Sequence, residues 1–324
     1  MSVQQLFIRK IKELTPSHES LVDVMADVLG ISTDSAYRRI REETALSFPE
    51  FAALCDHYQI SFDVSSSSTP RVSFRYSDFS PPDGFKNYLK SILNDLEAIY
   101  HSSSKHITYA ALDIPIFHYF KYPNLTAFKL LYWQKAIIND PQYQHKKFSQ
   151  DVVTQEEVEM AERVNYLYYR IPTTEIWNLN TIDGLLNQVR FLWESGNFES
   201  EESFTGVIED LLKMLHDLEG YATRSLKVPE TPDSSYQFYQ CEIEIGGNYV
   251  LVNRNEQMVI YKAMHTFNTI ITNDEKFSQA TSLWIENLMR KSVLISGVGE
   301  KHRYLFFKKI YQKVEDMKNN LLRG

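Results

Sequence analysis

The sequence predicts an N-terminal all-α bundle followed by a mostly helical region that carries a small antiparallel sheet, an α+β arrangement. Three observations predict it. Four short helical patterns crowd into the first 60 residues. Small, polar and proline-rich stretches interrupt the chain at Ser65–Pro70, at Pro81–Gly84 and at Val228–Asp233, where no core-forming element can be built. After the last of them the apolar period changes from helical to alternating. The parts expected are residues 1–63, a linker over 64–83, a mainly helical region over 84–227, and an α+β region over 228–324.

The N-terminal elements follow one another closely. Val3 to Leu14 repeats Leu6, Phe7 and Ile11 at helical spacing, and Leu21 to Leu29 repeats Val22, Met25 and Val28. Gly30-Ile31-Ser32 is a turn: glycine takes a positive φ after a helix end without a Cβ penalty, and Ser32 can accept from a free N–H of the next helix. Thr33–Arg41 is then the third helix. Ser47-Phe-Pro-Glu50 opens the fourth, through Tyr58, with Pro49 in the first turn, where a missing N–H costs little.

Beyond the linker, Phe85, Leu89, Ile92, Leu93 and Leu96 recur at helical spacing, as do Phe128, Leu131, Tyr132 and Trp133. Thr154-Gln-Glu-Glu157 has the capping-box pattern that opens a helix through Tyr169. Further helices are expected from Asn180 to Gly196 and through Val207, Leu211, Leu212 and Leu215. His106 to Ile114 is the one buried strand expected before residue 228. In Tyr236–Ile245, Tyr239, Cys241, Ile243 and Ile245 alternate with polar residues, and Gly246-Gly247-Asn248 signals a hairpin into Tyr249–Val252. Gln257–Met264 is expected as a third strand, followed by a helix through Trp284 and Leu288, a short strand Ser292–Ile295 and a final helix from Glu300. No regular repeat near 34 residues emerges, because the helices are uneven and strands interrupt them.

The chain has 324 residues, 34 Lys and Arg against 42 Asp and Glu, and a net charge of −8. Hydrophobic residues at 43% and charged residues at 23% exclude a disordered or fibrous chain. The acidity excludes coating of nucleic acid by bulk charge, but not a small local reading surface. Divided by part, residues 1–62 carry −3, residues 63–226 carry −7 and residues 227–324 carry +2. Two distant cysteines, Cys55 and Cys241, exclude a disulfide framework and suit a reducing cytoplasm. No stretch of about 18 apolar residues spans a bilayer. The basic residues Arg9, Lys10 and Lys12 interrupt the apolar run that a secretory signal would need.

Met25-Ala-Asp-Val-Leu-Gly-Ile-Ser32 followed by Thr33-Asp-Ser-Ala-Tyr-Arg-Arg-Ile-Arg41 resembles the helix-turn-helix of XRE-type regulators, the lambda repressor/Cro family. Leu46 to Asp63 is similar to the helix and exit segment that follow in that family. The likeness covers residues 3–63. It departs where Glu42 stands in place of a common glycine after the recognition helix, and where Gln59 replaces a helix-ending glycine. The resemblance implies that the third helix enters the major groove of double-stranded DNA. With Ala36 and Ile40 turned inward, roughly 100° per residue places Asp34, Arg38 and Arg41 on the opposite face. Tyr37 and Ser35 flank them, and Thr33 and Arg39 sit nearer the core edges. The candidate DNA-binding residues are therefore Ser32, Thr33, Asp34, Ser35, Tyr37, Arg38, Arg39 and Arg41. Arginine can fork onto guanine O6 and N7, and Ser32 or Thr33 can donate to a phosphate or base edge. The commoner origin of three arginines on a short helix is a solvated face, and a compact bundle can equally dock a protein.

Other patterns carry less. Ile295-Ser-Gly-Val-Gly-Glu-Lys301 superficially resembles a phosphate-cradling loop, but lacks the full G-x-x-x-x-G-K-[ST] pattern, and Glu300 would repel phosphate; a plain strand-to-helix turn is expected. Nine histidines contain no HExxH pair, and His101 and His106 lack a local partner, so no metal site is expected. Asp113 near His118 has no accompanying nucleophile. Glu156, Glu157 and Glu159 read as a wet helix face. The final helix presents Tyr304, Phe307, Tyr311, Val314 and Leu321 close to a heptad seam interrupted at Lys318, suited to packing on its own sheet or to a dimer interface.

The overall layout is also similar to XRE-type bacterial regulators with long C-terminal regions, including segments like Ala111-Leu-Asp-Ile-Pro-Ile-Phe117 and Phe128-Lys-Leu-Leu-Tyr-Trp133; that likeness implies no ligand. The expectation is a cytoplasmic, homodimeric transcription regulator that binds double-stranded DNA, has no cofactor, no metal and no membrane partner, is not an enzyme, and answers to an unknown effector through its C-terminal part. The alternatives are a protein-interaction scaffold whose bundle does not bind DNA, and a peptide- or small-molecule-responsive sensor.

Overall fold

Ser2 closes a reciprocal capping box with Gln5, which starts helix α1 (Val3–Leu14). It is the first element in a computed structural model that describes residues 2–16, 19–58, 60, 72–76, 84–264 and 268–323. The Ser65–Pro70 break, residues 81–83 of the second break and Gln59 lie outside the described residues. The chain divides into two compact units, Met1–Ser73 and Phe74–Gly324.

The first unit adds α2 (Leu21–Leu29), α3 (Thr33–Ile40) and α4 (Phe48–Tyr58). Phe7, Ile8, Ile11, Met25, Ala36 and Leu54 form its buried centre, and the rings of Phe7 and Phe51 stack 4.0 Å apart. Leu6, Val22 and Val28 are only partly covered, as expected of a core this small. Gly30 has φ +63°, the left-handed helix end that the turn requires. Ser32 Oγ accepts from Ser35 N at 3.2 Å. Ser47 and Glu50 form the second reciprocal cap, with Ser47 N donating to Glu50 Oε2 at 2.8 Å.

The second unit is mixed α+β. Among the described residues its sheet has eight strands: β1 (Arg75–Tyr76), β2 (Lys105–Ala111), β3 (Thr173–Trp177), β4 (Tyr236–Gln240), β5 (Tyr249–Arg254), β6 (Gln257–Ala263), β7 (Thr269–Thr272) and β8 (Val293–Leu294). The order across the sheet is β1-β7-β6-β5-β2-β3-β4-β8. This is a larger and more mixed sheet than the small antiparallel one expected. β2, β3 and β4 run parallel, and each return is carried by helices, as parallel pairing demands. The first return contains α6 (Pro123–Tyr132) and α7 (Gln155–Tyr168); the second contains α8 (Asp183–Glu194) and α9 (Glu201–Arg224). Two strands from the 84–227 part thus sit between strands of the 228–324 part, so the two parts share one sheet. Arg75 and Tyr76, inside the stretch read as a linker, pair with Ile271 and Ile270.

The hairpin expected at Gly246–Asn248 is not formed: β4 and β5 are not neighbours. Asn248 Oδ1 accepts from Leu112 N at 2.8 Å and Asp113 N at 3.0 Å, which fastens the start of β5 to the end of β2. β5 therefore pairs antiparallel with β2, and residues 241–245 leave the alternation as an irregular segment that still buries Cys241 and Ile245. The true hairpin joins β5 to β6. Its two turn residues, Asn255 and Glu256, have φ +46° and +67°, the paired left-handed geometry that matches strand twist.

Strand alternation divides two cores. Ile107, Tyr109, Val252 and Val259 point to the larger one, beneath α5 (Gly84–Tyr100), α6–α9 and α11 (Glu300–Arg323). Ala110, Ile176, Leu251 and Ile260 point to the other face, against Ile285 and Leu288 of α10 (Glu275–Arg290). The heptad seam of α11 is consumed internally. Phe306, Phe307, Ile310, Val314 and Met317 are buried in the larger core, whereas Tyr304 is 58% exposed. The stripe at these positions is packing on its own fold.

Candidate functional site

The turn and caps around α3 decide which predicted readers are presented. Ser32, Thr33, Asp34, Tyr37, Arg38 and Arg41 are exposed, and Ser35 is half-buried. Ser32 Oγ, besides capping, donates to Ser35 Oγ at 3.0 Å. Arg38 Nη2 lies 3.2 Å from Asp34 Oδ2, an exposed i,i+4 pair that costs little to open. Arg41 stacks over the Tyr37 ring at 5.4 Å and lies 4.0 Å from Glu43.

Arg39 is different. Its Nη2 donates to Glu50 Oε1 at 2.6 Å and its Nη1 donates to Ser35 O at 3.1 Å. Hydrogen bonds from Arg39 hold the Glu50 carboxyl below its usual range against the opposing effect of burial, with Ser47 adding to them. Arg39 thus braces α3 against the start of α4 and is not presented with the other candidates. Glu42 has φ +62°, the left-handed position glycine favours, and its carboxylate accepts from Ser2 Oγ.

In the second unit, a cavity of about 120 Å³ opens between α5, the sheet and the segment after β2. Its walls are largely apolar and aromatic, with Leu96, Ile107, Val252 and Trp133 among them. Lys129 of α6 reaches it while only 5% exposed. Its Nζ donates to Gln188 Oε1 at 2.6 Å and sits 4.9 Å and 5.0 Å from the Tyr119 and Trp133 ring centres. Burial lowers the ammonium to about 8, opposed by the nearby Asp113 carboxylate. Asp113 lies against the first turn of α8, where a Cβ on Gly184 would meet its Oδ1 at 1.9 Å; burial raises its carboxyl, opposed by Lys129. The two segments singled out by layout, Ala111–Phe117 and Phe128–Trp133, thus meet at one cavity. What gave Lys129 away was its setting: a lone lysine in a helix whose residues from Leu125 to Leu131 are all buried.

A second polar cluster is sealed. Glu175 of β3 and His118 are both fully buried. Glu175 Oε1 accepts from His118 Nε2 at 2.8 Å and Tyr168 Oη at 2.6 Å, and its Oε2 accepts from Trp177 Nε1 at 2.8 Å. Lys227 donates to Tyr168 O, Ile171 O and Thr173 Oγ1 at 2.7, 2.8 and 2.6 Å, and burial lowers it to about 7 against the attraction of Glu175. Neither Glu175 nor His118 lines the cavity, so their chemistry is that of a satisfied core network.

The weaker patterns resolve similarly. In the loop Ile295–Lys301, Gly297 N donates to Ala222 O at 2.9 Å, and Arg303 Nη1 donates to Ile295 O and Gly297 O at 2.8 and 3.0 Å. The loop is tied to its own fold rather than open as an anion cradle. Glu157 is buried, bonded by Thr154 and Gln134, and departs from the wet face expected of it. Glu156 pairs with Lys86 at 2.6 Å in the open. His106 meets Thr174 at 2.9 Å. Among the described residues no group of three metal-ligating side chains comes together, and no helix is long and apolar enough to cross a membrane. No family model, curated protein or solved structure matches this chain.

Proposed function

We propose that the chain is a sequence-specific DNA-binding transcription regulator that acts as a homodimer, with α2 and α3 as a helix-turn-helix and the larger unit in a sensing role. The observation that carries this reading is the outward face of α3. A glycine-ended α2 and a serine-capped α3 leave Thr33, Asp34, Tyr37, Arg38 and Arg41 exposed together beside Ser32 and Ser35. The XRE-type resemblance of residues 25–41 supports the same assignment. Arg38 and Arg41 are the base or phosphate ligands, Ser32 and Thr33 donate at the helix start, and Arg39 acts through Glu50 as a brace. Two copies reading half-sites about 34 Å apart would give an inverted-repeat operator.

Selection of random duplex DNA by the full chain tests this reading. An enriched inverted repeat, weakened by Arg38→Ala, is expected, with binding that falls steeply as salt rises. Absence of any enriched motif at low salt would overturn it. A second reading, a protein-docking bundle without DNA affinity, is favoured by the acidic partners Asp34 and Glu43 beside Arg38 and Arg41. Asp34→Ala separates the two: on a DNA-binding face, removing the acidic partner of Arg38 strengthens binding at low salt, whereas a docking bundle without DNA affinity shows no binding before or after the substitution.

A further inference from the structure

The cavity of the second unit gathers unpaired hydrogen-bond donors around Lys129, with the carboxyls of Asp113 and Asp95 also on its walls. The ammonium of Lys129 has three N–H groups and one acceptor, Gln188 Oε1. The hydroxyls of Tyr109 and Tyr119 and the amide nitrogens of Gln188 and Asn248 line the same space, and none has an acceptor among the described residues. No carboxylate lies within ion-pair distance of Lys129 among the described residues, although it is a buried cation. A buried charge whose nearest carboxylate, Asp113, stands beyond ion-pair distance is costly, and so are donors left unpaired.

We propose that this cavity binds a small monocarboxylic acid with a compact aromatic or alkyl body, its carboxylate taken by Lys129. The carboxylate supplies what Lys129 lacks in direct contact, a negative charge and acceptors for its two remaining N–H groups. Two Lys129 N–H groups and the hydroxyls of Tyr109 and Tyr119 are the donors available to it, and charge-assisted bonds of this kind are the stronger class. Asp113 stands at the same end of the cavity. Burial raises its carboxyl, opposed by Lys129, and a second carboxylate brought beside it favours its protonated form, which can donate a hydrogen bond. Leu96, Ile107, Val252 and Trp133 receive the apolar body. The volume, about 120 Å³, limits that body to roughly a single ring or a short chain, since a dry cavity near 150 Å³ takes benzene. This assignment does not depend on the first unit binding DNA.

Titration calorimetry on the full chain tests it with benzoate and hexanoate as probes, and with benzamide and benzylamine as matched controls. Benzoate is expected to bind at least tenfold more tightly than benzamide. Lys129→Met should erase that difference, while Val252→Phe, which fills the apolar end, should weaken benzoate and hexanoate by tenfold or more. Circular dichroism of both variants confirms that they fold. The proposal is overturned if neither acid binds, if benzamide matches benzoate, or if Val252→Phe leaves the affinity unchanged. Tighter binding of benzylamine would also overturn it, by making the acidic residues the reading groups.

Discussion

His118 Nε2 lies 2.8 Å from Glu175 Oε1, and neither side chain reaches solvent. The carboxylate is the common acceptor for His118, Tyr168 and Trp177, so its removal strands three buried donors at once. Glu175→Ala is expected to cost about 3–5 kcal/mol in urea unfolding, because it leaves three buried donors without their acceptor and the nearby Lys227 without its counter-charge. Burial pushes the Glu175 carboxyl up, but His118, Tyr168 and Lys227 together hold it below its usual value. A lowered carboxyl binds fewer protons when folded than when unfolded. Its contribution is therefore complete above the ordinary glutamate value near about 4.3 and is lost as pH falls through the lower folded value. Wild-type stability should fall more steeply than that of Glu175→Ala below about pH 4.3; equal slopes would contradict the assignment.

Arg38 and Arg39 are neighbours in sequence but differ in exposure: Arg38 pairs with Asp34 in the open, and Arg39 pairs with Glu50 under cover. Arg39 and Glu50 are mostly covered, and the pair spans α3 and α4. Arg39→Ala should lower the stability of the first unit by about 1–2 kcal/mol in thermal unfolding. Arg38→Ala, which removes only an exposed pair with Asp34, should change stability by less than about 0.5 kcal/mol while weakening DNA binding. The reverse pattern would reassign both residues.

The first unit was legible because its signals are local. Each helix begins or ends at a capping residue visible in sequence, and Gly30 marks the one left-handed helix end that the turn needs. The sheet was less legible because its pairing is non-local. Tyr236–Ile245 alternates like a strand, yet only Tyr236–Gln240 pairs, since Asn248 fastens the following strand to residues 112 and 113 instead. Thr173–Trp177 escaped notice because a fully buried strand does not alternate in polarity, and Glu175 interrupts it. The exposed face of α3 followed from helical spacing, but spacing could not show Arg39 bending toward Glu50. Lys129 and Asp113 meet only through the fold.

Glu42 occupies a left-handed conformation that costs a non-glycine residue about 1 kcal/mol. Against this stand one exposed bond from Ser2 and the extra entropy glycine brings to the unfolded chain. Glu42→Gly should therefore raise the stability of the first unit by a few tenths of a kcal/mol, up to about 1 kcal/mol. It also removes a negative charge just beyond α3, so DNA affinity at low salt should rise. A lowered melting temperature would show that the Ser2 contact outweighs the backbone strain.

Gly184 leaves room for Asp113. A Cβ there would stand 1.9 Å from Asp113 Oδ1, and a short, half-buried aspartate cannot swing far. Gly184→Ala should destabilise the second unit by about 1–3 kcal/mol, the range for overpacking, although alanine favours helices more than glycine does. Scanning calorimetry decides it: an unchanged or higher melting temperature would mean that Asp113 relocates freely, and the cavity would then lack a fixed carboxyl.

Lys129, only 5% exposed, carries its ammonium into a largely apolar and aromatic cavity. Burial lowers its ammonium to about 8, below the ordinary lysine value near about 10.4. Between these values the unfolded chain binds more protons than the folded one, so stability rises with pH across that window. Lys129→Met removes both the buried charge and this slope. It should stabilise the unliganded chain at pH 7 by about 1 kcal/mol or more, since apolar replacement of buried charge is often favourable, with the open Gln188 carbonyl as the opposing cost. The advantage should shrink as pH rises from about 8 toward about 10. If the variant is instead less stable at pH 7 and its deficit does not vary with pH, Lys129 is held by packing and its charge is not the strained element of the cavity.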